Sequence, residues 1–114
     1  MLEPRTFHGA GSNAVRGIIC GDAYPGTTVV TYLTIATLGS DTDFGDLTDD
    51  RNGLGAAASK TRVVAFGGRI SPTPAGGKTI DYAQIMTTGN FVDFGDSTVG
   101  SDMRPGASNG HGGL

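Results

Sequence analysis

The sequence predicts an all-β fold of two repeated four-stranded sheets, and three observations predict it. The first is an internal repeat: residues 29–50 laid over 79–100 without gaps are identical at nine of 22 positions. The second is the lack of helical periodicity, with short apolar and β-branched runs in its place. The third is glycine, at 20 of 114 residues, against a usual share of about 7%.

The repeat has two parts. Tyr32-Leu-Thr-Ile-Ala-Thr-Leu-Gly39 followed by Asp43-Phe-Gly-Asp46 returns as Tyr82-Ala-Gln-Ile-Met-Thr-Thr-Gly89 followed by Asp93-Phe-Gly-Asp96, an offset of 50. Val15-Arg-Gly-Ile-Ile-Cys-Gly21 returns as Thr61-Arg-Val-Val-Ala-Phe-Gly67, an offset of 46. The difference is absorbed between them, where 68–78 carries Ser71-Pro-Thr-Pro-Ala-Gly-Gly77. A Gly/Pro-rich connection between strands tolerates such a length change at small entropic cost.

Each unit reads as four strands. The first is Arg16–Cys20 or Arg62–Phe66, bounded by glycine. The second is Val29–Ile35 or Thr79–Met86, where period-two alternation puts Val30 with Tyr32 and Ile80 with Tyr82 on one face. The third contains Asp43–Leu47 or Val92–Ser97, reached through turns at Gly39-Ser40 and Gly89-Asn90. The fourth, of small residues, is Leu54–Ser59 or Pro105–Asn109. One four-stranded sheet per 46–50 residues is the signature of a propeller blade. Residues 1–8 form an N-terminal arm, 9–60 the first blade and 61–114 the second. Ser12-Asn13, Ala58-Ser59 and Ser108-Asn109 are three versions of one junction.

Composition excludes several classes. Eight basic and 11 acidic residues give a net charge of −3, which argues against a nucleic-acid-binding face. No run of 18 apolar residues predicts a membrane span, and Met1-Leu-Glu-Pro-Arg5 lacks the apolar core of a signal peptide. A single cysteine leaves no internal disulfide.

The combination Ile80-Asp-Tyr82, Thr88-Gly-Asn90, Asp93-Phe-Gly-Asp96, Thr61-Arg62 and Phe66-Gly-Gly68, with Ser108-Asn-Gly-His-Gly-Gly-Leu114, resembles the kelch-like repeat proteins of tailed bacteriophages, the marine and cyanophage type. The resemblance covers residues 9–114 and implies a β-propeller-like structural protein of the virion, with no enzymatic activity and no cofactor. The first unit departs from it with Gly21-Asp22 in place of the double glycine, and the chain has no tryptophan. The repeat motif consists of Arg16, Tyr32, Asp43, Phe44, Gly45 and Asp46 in one unit, and Arg62, Gly67, Gly68, Tyr82, Asp93, Phe94, Gly95 and Asp96 in the other.

Two blades leave apolar faces uncovered, because blades bury one another only by stacking around a ring. Head-to-tail homo-oligomerisation closes such a ring. Three chains give the favoured six-bladed propeller; a ring of eight blades, a ring of four, or a non-propeller sandwich are the alternatives.

Several side chains are of types that carry chemistry. Asp41, Asp43 and Asp46 have the spacing of a calcium cluster, but Phe91 replaces Asp41 in the second copy, favouring acceptors for turn amides or arginine. Arg16 and Arg62 are expected to pair with carboxylates of the Asp-Phe-Gly-Asp element. Cys20, aligned with Phe66, is expected to fill the core, and His8 and His111 to be junction residues without catalytic roles. Tyr24, in a loop with Pro25-Gly26, is the tyrosine free to stack on a sugar. The expected function is a virion structural protein, a small oligomeric propeller on the capsid or in the tail or its fibres, with other virion proteins as partners. The alternative is a carbohydrate-binding adhesin module that recognises host glycans through Ala23–Thr28 and Arg69–Lys78.

Overall fold

The structure is a computed structural model, and it describes residues 6, 8–22, 27–37, 39–70, 77–102 and 105–108. Among these residues there is no helix. Nine strands follow in chain order: β1 Gly9–Ser12, β2 Arg16–Cys20, β3 Thr27–Thr34, β4 Thr42–Asn52, β5 Gly55–Ala58, β6 Arg62–Phe66, β7 Arg69–Ile70, β8 Thr79–Gln84 and β9 Val92–Asp96. They form two antiparallel sheets, ordered β1-β2-β3-β4-β7 and β5-β6-β8-β9. One of the two curls toward a half-barrel.

Both sheets are meanders of the same pattern, so β1, β2, β3 and β4 correspond to β5, β6, β8 and β9. The tight connections are made by side chains that cap their own backbone. Asn13 Oδ1 accepts from the amides of Val15 and Arg16 at 2.8 and 2.7 Å, and Ser59 Oγ accepts from Thr61 and Arg62 at 3.3 and 3.2 Å. These local bonds turn the chain between β1 and β2, and again between β5 and β6.

Two expectations are corrected. Gly55–Ala58 does not close the first unit; it pairs with Arg62–Phe66, from Gly55 opposite Phe66 to Ala58 opposite Val63, as the first strand of the second sheet. The break lies at Gly53, whose φ of +62° turns the chain out of β4. The first sheet accordingly has five strands rather than four, because β7 joins the far end of the eleven-residue β4 through Arg51–Ile70 and Asn52–Arg69 pairing. Within the second expected fourth strand, residues 105–108 are not in a strand. They lie against β5 instead: a Cβ added at Gly106 would overlap the Ala56 carbonyl and touch the Phe66 ring.

The sheets stack face to face and converge at their first strands. A Cβ on Gly9 would meet the Leu54 backbone and side chain, and one on Gly11 the backbone of Ala57 and Ala58. The glycines of β1 and alanines of β5 therefore allow an approach that larger residues would prevent. Farther out, the space is filled by one apolar cluster. Ile18, Cys20, Val30, Phe44 and Leu47 come from the first sheet; Leu54, Ala58, Val63, Ala65, Ala83, Ile85 and Phe91 come from the segment that builds the second. Cys20 lies fully buried within it.

Candidate functional site

The Asp-Phe-Gly-Asp element is a β-bulge, present twice. On β3 and β4, Val30 pairs with Gly45 while the next residue, Thr31, pairs with Asp43, which leaves Phe44 as the extra residue. On β8 and β9, Ile80 pairs with Gly95 and Asp81 with Asp93, which leaves Phe94. Gly45 and Gly95 have φ of +147° and +146°, conformations that a side chain resists. A bulge re-aims the residue it extrudes and twists the strand. Here it aims an aromatic ring at the face of each sheet.

Each ring stands at the end of a stack. Arg16 lies over Tyr32 at 4.3 Å, and Tyr32 meets Phe44 edge-on at 6.1 Å. Arg62 lies over Tyr82 at 5.1 Å, and Tyr82 meets Phe94 edge-on at 5.9 Å. Arg16 also donates through Nη1 to the Ile85 carbonyl at 3.3 Å. The expectation that these arginines bind motif carboxylates is thus corrected to a cation–π role: the guanidinium reaches the tyrosine on the same sheet face before it reaches the bulge. The motif aspartates find other donors. Asp46 Oδ1 accepts from the Thr28 hydroxyl at 3.1 Å, and Asp93 Oδ1 from the Gly95 amide at 3.2 Å.

The two stacks differ in what lies beyond the phenylalanine. Phe44 is 2% exposed and meets Phe91 at 6.1 Å, edge-on. Phe94 is 64% exposed. Around Phe44 the β4 edge is covered by the turn that leads into β9. Gly89 N–H donates to the Phe44 carbonyl at 2.8 Å, Phe91 N–H to the Asp46 carbonyl at 2.8 Å, and Asp46 N–H to Asn90 Oδ1 at 3.1 Å. A Cβ on Gly45 would run into the Gly89 carbonyl, whereas nothing lies within 4 Å of the Cβ position at Gly95.

A buried ion pair that the repeat does not announce joins the sheets. Arg51 Nη2 donates to Asp81 Oδ2 at 2.6 Å, with both side chains wholly buried. Arg51 Nη1 donates to the carbonyls of Gly67 and Thr79, each at 2.9 Å. Thr48 donates its hydroxyl and its amide to the Asp81 carboxylate. Gly67 and Gly68 have φ of +66° and +87°, so the double glycine folds the chain back beneath Arg51 and presents a carbonyl to it. The anchoring of Arg51 in the second sheet also explains why β7 pairs with the end of β4.

The remaining candidates are dispersed. Asp41 is buried while Asp43 and Asp46 are exposed, and among the described residues no three His, Cys, Asp or Glu side chains converge. His8 is exposed. His111, Tyr24, most of the Ala23–Thr28 loop and 71–76 of the Arg69–Lys78 loop lie outside the described residues. No helix among the described residues is long and apolar enough to cross a membrane. No protein-family model and no curated protein matches the chain.

Proposed function

We propose that this chain is a non-enzymatic structural protein of a tailed-phage virion, several copies of which assemble into a small propeller-like disc on the capsid or in the tail. The observation that carries the assembly half is the pair of like sheets stacked in register, converging at β1 and β5 and open at Phe94. Propeller blades stack with their first strands nearest the axis, and each blade covers the face of its neighbour. Three chains, six sheets, is the favoured closure. The virion half rests on the sequence resemblance alone. Residues 1–8, of which 1–5 and 7 lie outside the described residues, are the proposed attachment to other virion proteins.

Light scattering on the purified protein tests the assembly, with an expected mass near three times the 11.6 kDa chain. An antibody against the protein, applied to gradient-purified particles, tests the location. A protein that stays monomeric and absent from particles refutes the proposal.

A further inference from the structure

We infer that the open face of the second sheet takes a second copy of this chain, which docks through the outer face of its first sheet in the register already used between the two sheets of one chain. The inference rests on the assembly reading above and names its interface.

The internal junction is the template. Ala83 on β8 and Ile85 just beyond it are buried in the apolar cluster that also holds Phe44. Subtracting the 50-residue offset places Leu33 and Ile35 at the matching positions of the first sheet, and both are exposed; Ile35 is 51% exposed where Ile85 is wholly buried. Adding the offset takes Phe44 to Phe94, likewise exposed. Leu33 and Ile35 on one half and Phe94 on the other are therefore exposed on opposite sides of the stack, while Thr31 and Asp41 of the first half are buried within the chain. Because the halves differ, copies join head to tail.

The strand edges match in the same way. Phe94 and Asp96 lie on β9, an edge strand of the second sheet, at the positions where Phe44 and Asp46 receive the Gly89–Phe91 turn. The corresponding turn of an incoming copy is Gly39-Ser40, exposed, with nothing within 4 Å of the Cβ position at Gly39. Gly39 supplies the amide that Gly89 supplies internally. Ser40 Oγ stands where Asn90 Oδ1 accepts the Asp46 amide. A second copy fits this edge better than an unrelated partner, since it brings both the apolar residues and the turn at the required spacing.

The inner part of the face is already occupied. Residues 105–108 lie on β5 as β5 lies on β1, offset by 50 and 46 residues respectively. They take the place of the first strand of a following sheet. In the docked pair, either 105–108 or the incoming Gly9–Ser12 moves aside, and the contact proposed here is the outer part, around Tyr82 and Phe94.

Phe94→Asp and Ile35→Asp test it, because both side chains are exposed and neither change removes a core contact. In sedimentation of the full chain, each variant alone is expected to associate at least about thirtyfold more weakly than the parent, the effect of losing an interface hot spot. Mixed in equal amounts, the two variants are expected to form a dimer and nothing larger, since one intact half survives on each. Variants that assemble like the parent, or a mixture that remains monomeric, overturn this interface while leaving the assembly reading intact. Association lost in Phe94→Asp but kept in Ile35→Asp overturns the head-to-tail register. A parent chain that is monomeric at several hundred micromolar overturns both.

Discussion

Phe44 and Phe94 occupy equivalent places in a repeated bulge, so the chain contains its own control for what a neighbouring sheet contributes. Truncation of each to alanine separates the bulge from its cover. Phe44 is 2% exposed and touches Tyr32 and Phe91 edge-on, and a buried Phe→Ala change costs about 3–5 kcal/mol in transfer and cavity terms together. Phe94 meets Tyr82 edge-on and is 64% exposed. Roughly a third of its surface is covered, so its truncation is expected to cost about 1 kcal/mol, a third of the lower bound of that range. Urea unfolding at micromolar concentration, followed by far-ultraviolet circular dichroism, reads the two values. Since a domain this size has about 5–15 kcal/mol in total, Phe44→Leu serves where Phe44→Ala does not fold. If copies assemble as proposed, raising the protein concentration should increase the cost of Phe94→Ala alone, because assembly adds stability that this variant forgoes. Equal costs at low concentration would refute the account, as they would mean that the second sheet does not cover Phe44.

Three further outcomes follow from the buried pair, the bulge glycines and the core cysteine. Arg51→Ala or Asp81→Ala should each destabilise by about 3–5 kcal/mol, by stranding a buried charge, while the joint change Arg51→Met with Asp81→Leu should cost less than either; strict additivity of the two sites in denaturant titrations would contradict the pairing. Gly45→Ala and Gly95→Ala share the backbone strain of a positive φ, but only Gly45 backs onto the Gly89 carbonyl, so thermal melts should show Gly45→Ala worse by about 1–3 kcal/mol. The Cys20 thiol, fully buried, should resist a water-soluble disulfide reagent in the native protein and react at once in urea; rapid native labelling would place it outside the core.

What could be read from the sequence was what repeats. Arg62–Phe66 was legible to the residue and β8 to within two, because alternation and bounding glycines are local properties. The partner of Gly55–Ala58 was not legible, since a run of small residues carries no mark of which neighbour it pairs with. The hydrogen-bonded hairpin with β6 decides that, and only three-dimensional register reveals it. The Arg51–Asp81 pair was hidden for a related reason. Its two members lie 30 residues apart, and their repeat equivalents are Ser101 and Thr31, so comparison of the units points away from both. A signal did exist: Arg51 stands in an aspartate-rich segment and has no basic counterpart in the second unit.

Those substitutions distinguish the junction inside a chain from a junction between chains built on the same plan. Inside, the sheets are joined by Arg51 with Asp81, and Phe91 and Leu47 add apolar bulk beside Phe44. At the matching positions of the proposed inter-chain junction stand Ser101 with Thr31, Asp41 in place of Phe91, and Ser97 in place of Leu47, with Thr31 and Asp41 already buried within their own chain. The proposed second junction would thus lack a buried charge pair, a third aromatic ring and a leucine. On this reading it is the weaker of the two, and dilution should part the copies while each chain's own sheets remain stacked. Specificity follows from the same asymmetry. Arg51 finds a carboxylate in a second sheet and not in a first, so a first sheet in that place would leave a guanidinium buried opposite a threonine, a penalty of several kcal/mol. The ion pair therefore selects a second sheet over a first as the cover for Arg51, and the proposed outer junction has no such pair.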